Sequence, residues 1–471
     1  MNPRILKISL LVSMPLLCAA DSNWPQWRGP LFNGSSPSAS GLAVEWTDEE
    51  NVLWKAELPS WSAATPAVWE DVVFVTSAQE GFSALGRYGG RGGGRGRGPG
   101  AGGRGPGPGR GGPRPGAELE GRAGGASSSA PDELLLIAVN RGDGSLLWKR
   151  TVGKGNRIYR KQNLASPSPI TDGSHVWVLT GGGDLSCYDM RGEMVWTRNI
   201  QDDYGRFGLN HGYASTPRLH NGRMYLQVLH GMKTDDPSYV FAIDAKTGKT
   251  EWKVDRPTDA VAESPDDYST PLVVETGGQE QLVVSGGDYV TGHDLRSGKE
   301  LWRMGGFNPG HERFYRTIAS SISIGDTVYT PSTRGNPFIA FKAGGEGWIS
   351  DTARIWENAR GADVPTPTTD GRRLFVVTDR GILNVLDPKT GELLVDQMRL
   401  DPGTYSSSPL LADGKIYAIN EEGTTTVVDV ENGYTILAVN RLDSHTLASP
   451  VAADGQIFIR TASHLYCIAP D

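Results

Sequence analysis

Along most of the chain, apolar residues alternate with polar ones over runs of four to eight positions. The alternation then breaks at small polar residues, and it never settles into the 3.6-residue period of a helix. "ASPSPITDGSHVWVLTGGGDLSCYDMRGEMVW" (165–196) shows one full round of this pattern. Small polar residues and Pro lead into a short strand, Asp-Gly makes a turn, and an aromatic-rich strand follows. A third strand ends in Asp, a turn closes at Gly, and a fourth strand ends in Trp. Period-two runs bounded by turn dipeptides predict strands and hairpins.

The round recurs every 40 to 54 residues. "ASTPRLHNGRMYLQV" with "YVFAIDAKTGKTEW", and "YSTPLVVETGGQEQLVVSGGDYVTGHDLRSGKELW", are clear copies. So are the copies around Pro367, Pro409 and Pro450, while the one around Ser321 is looser. The turns at Asp172-Gly173, Asn221-Gly222, Asp370-Gly371, Asp413-Gly414 and Asp454-Gly455 tolerate the positive φ of tight hairpins. Four short strands per repeat predict an all-β propeller, because one small sheet cannot bury both faces and stacking in a ring solves that. Counting openings at Pro66, Pro167, Pro217, Pro271, Ser321, Pro367, Pro409 and Pro450 gives eight four-stranded antiparallel blades. The last copy lacks its fourth strand. "NVLWKAEL" (51–58) ends in the same Leu-Trp as other fourth strands and is expected to close the ring onto blade eight, which spares it an open edge.

Blade one is interrupted. "WSAATPAVWEDVVFVTS" (61–77) is an opening half and "LLLIAVNRGDGSLLW" (134–148) a closing half. Between them runs "GGRGGGRGRGPGAGGRGPGPGRGGPRPG" (89–116), too poor in apolar residues to offset the entropy of ordering. The expectation is a disordered insertion over 81–132 in a loop of blade one. The tract carries six Arg and no acid. Removing those charges from the net −8 leaves about −14, and that balance argues against nucleic acid as a partner.

At the N-terminus, Arg4 and Lys7 precede an apolar run from Ile8 to Leu17, and Cys18-Ala19-Ala20 supplies small residues for cleavage before Asp21. This predicts a signal peptide over 1–20 and export to the periplasm or cell envelope, with 21–50 as a lead-in and 51–471 as the propeller. Lipidation of Cys18 is a second reading of the same residues. Cys187 in "LSCYD" and Cys467 in "LYCIA" occupy the same third-strand slot as Ala242 and Val385, in blades separated by blade one. Both are expected to be reduced, since their Cα atoms lie too far apart for a bridge.

"AIDAKTGKTEW" (242–252) resembles the tryptophan-docking repeat of the pyrroloquinoline quinone (PQQ) propeller family, Ala-x-Asp-x-x-Thr-Gly-x-x-x-Trp. In the resemblance Asp244 and Gly248 form the turn and Trp252 lands on the next blade. Trp54, Trp148, Trp196, Trp302 and Trp356 take the same slot, with Val395 and Leu437 replacing it in blades six and seven. "NWPQWRGPLFNG" looks like the lead-in of exported members. The family holds PQQ- and calcium-dependent dehydrogenases as well as cofactor-free proteins like the outer-membrane assembly propeller subunit. The adjacent Cys pair of the alcohol-oxidising members is absent, and Asp266-Asp267 is the nearest candidate for acidic calcium ligands. The expectation is therefore a non-catalytic scaffold without cofactor, monomeric, that binds an envelope protein or peptide. Two alternatives stand beside it: a dehydrogenase holding PQQ with calcium, and a surface module binding acidic glycans through the Arg-rich loop. Other chemistry is thin. His311-Glu312, Asp235-Asp236 and Asp202-Asp203 read as exposed loop residues.

Residues a few positions before each repeat's Pro should ring one mouth of the channel. They are Trp61, Asn163, His211, Tyr213, Tyr268, Arg316, Asp363, Tyr405 and His445. Arg316 is the expected anchor for an anionic group, and Trp61 or Tyr268 the stacking face.

Overall fold

The computed structural model describes residues 22–79, 133–159, 161–335, 337–442 and 444–470. The expected signal segment with Cys18, and the insertion over 81–132, lie outside the described residues.

Eight sheets of four antiparallel strands make an eight-bladed propeller. The inner strands are Ala67–Trp69, Ile170–Thr171, Arg218–His220 and Leu272–Thr276 in blades one to four. Ile322–Ile324, Thr368–Thr369, Leu410–Ala412 and Val451–Ala453 follow in blades five to eight. In blade one the second strand, Val72–Ala78, pairs with the third, Glu133–Asn140. The ring closes as the repeat count requires. Val52–Glu57 pairs antiparallel with His464–Ile468, and Trp54 stands opposite Cys467.

Local chemistry sets the hairpins. At Asn221-Gly222, Asp413-Gly414 and Asp454-Gly455 both residues have positive φ, the geometry that follows the twist of the strands. The third-to-fourth turn is built by the repeat's Asp. Asp244 Oδ1 accepts from Thr247 N and Oγ1 at 2.7 and 2.6 Å, and Gly248 turns at φ 70°. The tryptophan at the end of the motif then spans to the next blade. Trp252 Nε1 donates to Leu295 O, Trp148 to Met190 O and Trp54 to Arg141 O. A glycine lies under each indole, at Gly298, Gly192 and Gly144.

Two blades depart from the expected pattern. Trp302 holds the tryptophan slot but does not cross. Its Nε1 donates to Gln281 Oε1 of its own blade, because blade five offers "AGGEG" where other blades have the Asp-to-Gly turn. In blade seven the slot belongs to Ala438 and not to Leu437. Val427 pairs with Ala438, and Leu437 falls at the bulge, since the turn there is one residue longer with Tyr434 at φ 57°. Val395 does stand opposite Val385 in blade six.

Cys187 and Cys467 are free and buried, opposite Trp196 and Trp54 in the shared slot.

The lead-in crosses the end of the channel where the hairpin turns lie. Trp24 exchanges backbone hydrogen bonds with Val68 of blade one, and Thr171 N of blade two donates to Pro25 O. Arg218 of blade three stacks on Phe32 at 4.0 Å, and Phe32 joins a cluster with Leu272 and Val274 of blade four. Arg28 donates to Pro367 O and Pro409 O of blades six and seven. Ser35–Ser36 then adds a parallel strand to Leu411–Ala412. The channel is thereby a cup with one open mouth.

Candidate functional site

The cup encloses about 410 Å³. Its wall is layered because each blade sends one extended strand down it, and residues two apart face the same way. The deepest layer is a ring of hydroxyls. Thr65, Ser168, Thr216 and Thr270 come from blades one to four, and Ser320, Thr366, Ser408 and Ser449 from blades five to eight. All eight are buried side chains that line the cavity. At seven of the eight junctions the backbone N–H of one ring residue donates to the hydroxyl of the next blade, from Thr65 to Ser168 at 3.0 Å through to Ser449 back to Thr65 at 3.3 Å. Two residues nearer the mouth sits a mostly apolar collar, with Ala63, Ala214, Ile318, Val364 and Leu447. Trp27 of the lead-in lines the closed end.

The mouth is polar and largely paired. Lys161 Nζ lies 2.7 Å from Glu421 Oε1. Glu263 is shared: its Oε1 lies 3.1 Å from His211 Nε2 and 3.8 Å from Arg316 Nε, and accepts from Asn210 Nδ2 at 3.2 Å. Arg334 N donates to Asp363 Oδ1 at 2.7 Å.

Of the nine residues expected at the mouth, His211, Tyr268, Arg316, Asp363 and Tyr405 line the cavity. The other four stand behind the wall. Asn163 Nδ2 donates to Trp61 O, which ties two neighbouring blades together. Tyr213 is buried with its hydroxyl donating to Gln227 O. His445 Nδ1 lies 2.9 Å from the backbone oxygen of Glu421, behind the Lys161–Glu421 pair. Trp27, Lys161 and the hydroxyl ring were not among the expected residues. The ring's signal was present as the recurring Ser or Thr directly before a Pro, with Ser168 before Pro169 and not Pro167 in blade two, and Ser320 before Ser321 in blade five.

Asp266 and Asp267 do not fit a calcium site. Asp266 accepts from the backbone N–H groups of Asn210, Gly231 and Met232, and burial still raises its pKa to about 6. Asp267 is fully enclosed, accepts from Gln227 Nε2 and Ser269 Oγ, and burial raises it to about 7. These bonds lock the chain between blades three and four. Asp203 is engaged by Arg198 at 2.7 Å. Among the described residues no group of three or more His, Cys, Asp or Glu is placed to hold a metal.

The family model described as outer membrane protein assembly factor BamB matches residues 132–397, more than half of the chain. The chain belongs to this family. BamB-like sequence runs from the third strand of blade one, Glu133–Asn140, into the fourth strand of blade six, Leu393–Arg399. Within this BamB-like, PQQ-repeat group the chain is related in two directions. It is 33% identical over 124 residues to the quinohemoprotein alcohol dehydrogenase ADH-IIG of Pseudomonas putida, covering 24% of this chain and 15% of that one. It is 25% identical over 131 residues to BamB of Moranella endobia, covering 27% of this chain and 29% of that one. The matched segments thus span well under a third of either curated relative. The fold is shared more widely. The quinohemoprotein alcohol dehydrogenase of Comamonas testosteroni superposes with a TM-score of 0.60 at 11% identity, over 96% of this chain and 81% of that one. No helix among the described residues is long and apolar enough to cross a membrane.

Proposed function

We propose that this protein is an exported, non-catalytic BamB-like propeller that binds a protein or peptide partner in the cell envelope through the open mouth of its cup. The observation that carries the reading is the state of its charged groups. Asp266 and Asp267, the acids nearest to a metal-binding arrangement, are buried between blades, with Asp266 and Asp267 Oδ2 engaged there in hydrogen bonds and Asp267 Oδ1 left without a partner, while Arg316, His211 and Lys161 stand on the open rim. A rigid closed ring with polar groups converging on one concavity suits recognition more than chemistry. Relatedness to BamB supports an envelope protein as the partner and export as the destination.

The second reading is a PQQ- and calcium-dependent dehydrogenase, favoured by relatedness to ADH-IIG and by the tryptophan at the closed end of the cup. One pair of experiments separates the two. Pull-down from envelope extracts should recover a partner whose binding Arg316→Ala weakens by about 1–3 kcal/mol, the scale of a lost charged hydrogen bond, with melting temperature nearly unchanged. Addition of PQQ and calcium should give no dye-linked oxidation of alcohols or sugars. Turnover with a stoichiometric quinone absorbance replaces the binding reading with the enzymatic one.

A further inference from the structure

We propose that the throat of the cup is an oxyanion site, in which the ring of Ser and Thr hydroxyls holds a carboxylate or phosphate group above Trp27. This goes beyond partner recognition at the rim and does not depend on it.

The ring's hydrogen bonds leave one kind of capacity unused. A hydroxyl has a single proton and two lone pairs. In seven of the eight ring members the oxygen accepts the N–H of the preceding blade, so the proton remains to be donated. The bond to the backbone fixes each oxygen on the wall, and the unspent donors converge on the channel axis. Preorganised donors around one point favour an acceptor carrying negative charge.

The charge beneath the ring selects among acceptors. Arg28 is fully buried and donates only to carbonyl oxygens, those of Pro409 and Pro367 at 3.0 and 2.8 Å and Asn33 at 3.3 Å. Pro409 and Pro367 directly follow the ring residues Ser408 and Thr366. Among the described residues Arg28 pairs with no carboxylate, and its Nε has no hydrogen-bond partner. Burial lowers its guanidinium to about 9. Arg218 of blade three is half-buried, with its guanidinium stacked on Phe32 and its Nε and Nη1 without a hydrogen-bond partner. Cations desolvated without a counter-charge are costly, and an anion in the ring would offset part of that cost across the Pro367 and Pro409 backbone, since neither guanidinium lines the cavity. A neutral polyol would satisfy the hydroxyls but not the arginines. The collar of Ala63, Ala214, Ile318, Val364 and Leu447, broken by Ser166, Tyr268 and Ser406, lowers the polarity around the ring, and the acids Asp363 and Asp379 lie outside it at the solvated mouth, where water and salt screen them.

Two sources carry such a group: a small free anion, or the carboxylate end of a peptide. Isothermal titration of the full chain with inorganic phosphate, with acetyl-tetraalanine bearing a free carboxylate, and with the same peptide as its amide distinguishes them. The expected result is saturable one-to-one binding of phosphate, of the peptide acid, or of both, with the amide at least roughly tenfold weaker. Phosphate alone points to a free anion, and the peptide acid alone to a chain end. Thr366→Val with Ser408→Ala should weaken binding at least roughly tenfold, while Thr366→Ser, which keeps the hydroxyl, should hold affinity within about twofold. Circular dichroism checks that the double variant folds, and Ser320→Ala takes its place if it does not. The proposal is overturned by absence of saturable binding for both phosphate and the peptide acid. Equal binding of acid and amide, or undiminished affinity in the folded hydroxyl variants, overturns it as well.

Discussion

The indole of Trp302 lies over Gly292 of its own blade, where a Cβ on Gly292 would stand 2.0 Å from the ring. Gly292 pairs directly with Trp302 across the third and fourth strands, at the slot filled by Ala242 and Cys187 elsewhere. Its backbone does not need a glycine, since it is not among the residues with positive φ, so any effect of adding a methyl is steric. Gly292→Ala should force the fully buried Trp302 from its position and destabilise by about 1–3 kcal/mol, as overpacked cores do. Urea unfolding should show a lower midpoint with an unchanged slope.

Closure of the ring should be worth as much as any core contact. Trp54 reaches from blade eight to blade one, with its ring 6.0 Å from Phe458 and its Nε1 on Arg141 O. Trp54→Ala should cost about 3–5 kcal/mol, the range for a large buried aromatic. Deleting 51–58 removes the strand that covers His464–Ile468, and light scattering should then report aggregation through the bared edge. A monomeric deletion variant of equal melting temperature would contradict the closure.

The share of stability contributed by Asp266 and Asp267 should rise as pH falls from 8 toward 5, against an opposing share from His293, whose folded value burial lowers to about 4. Asp267 and Asp266 have folded pKa values raised by burial to about 7 and about 6. A carboxyl raised on folding binds its proton more tightly in the native state. Its stabilising share is complete below the unfolded value near 4 and is lost as pH climbs through 6 to 7, an effect of at most a few kcal/mol. Asp267→Asn keeps an acceptor for Gln227 and removes the titration. Denaturation between pH 5 and 8 should show the parent gaining stability relative to this variant as pH falls, and a difference that does not change with pH would contradict the assignment.

The two thiols should be silent in the folded protein. Burial pushes Cys187 and Cys467 up to about 12, far from the thiolate range. A thiol reagent at pH 8 should label neither in native buffer and both in denaturant. Mass analysis without reductant should find no bond between them.

The architecture was readable because the repeat is local chemistry. Asp244, Gly248 and Trp252 are each required by a turn or a contact within one blade and its neighbour, and copies of that requirement survive in order along the chain. The same rule predicted Trp54 as a closing strand. It failed where one residue changed the spacing, as at Tyr434, which moved the slot from Leu437 to Ala438. It failed again where the receiving blade lacked its turn, as for Trp302. The site was half readable. Positions before the Pro fall near the cavity, and the two-residue period of the strand relates the ring to the collar, as in Val364 and Thr366. It does not sort the rest: His211, Asp363 and Tyr405 line the cavity out of phase with the ring, while Trp61 and His445 are in phase and do not line it. Trp27 carried no such signal, since the lead-in is outside the repeat and its place is fixed only by long-range packing.

The crossing of the lead-in also fixes an order of events in time. Arg28 is bonded to carbonyls 339 and 381 positions later, and Asp48 to the hydroxyl of Tyr466, 418 positions later. The lead-in can dock on blades one to four through Trp24, Pro25 and Phe32 as these form, but Arg28 reaches its carbonyls only when blades six and seven exist, and Asp48 reaches Tyr466 only with blade eight. Contacts of such separation slow folding and prolong the life of open intermediates. Blades one to seven carry their own four strands and can stack while the chain is still growing. The final step is a latch, in which Val52–Glu57 pairs with His464–Ile468 and the seam between blades eight and one disappears.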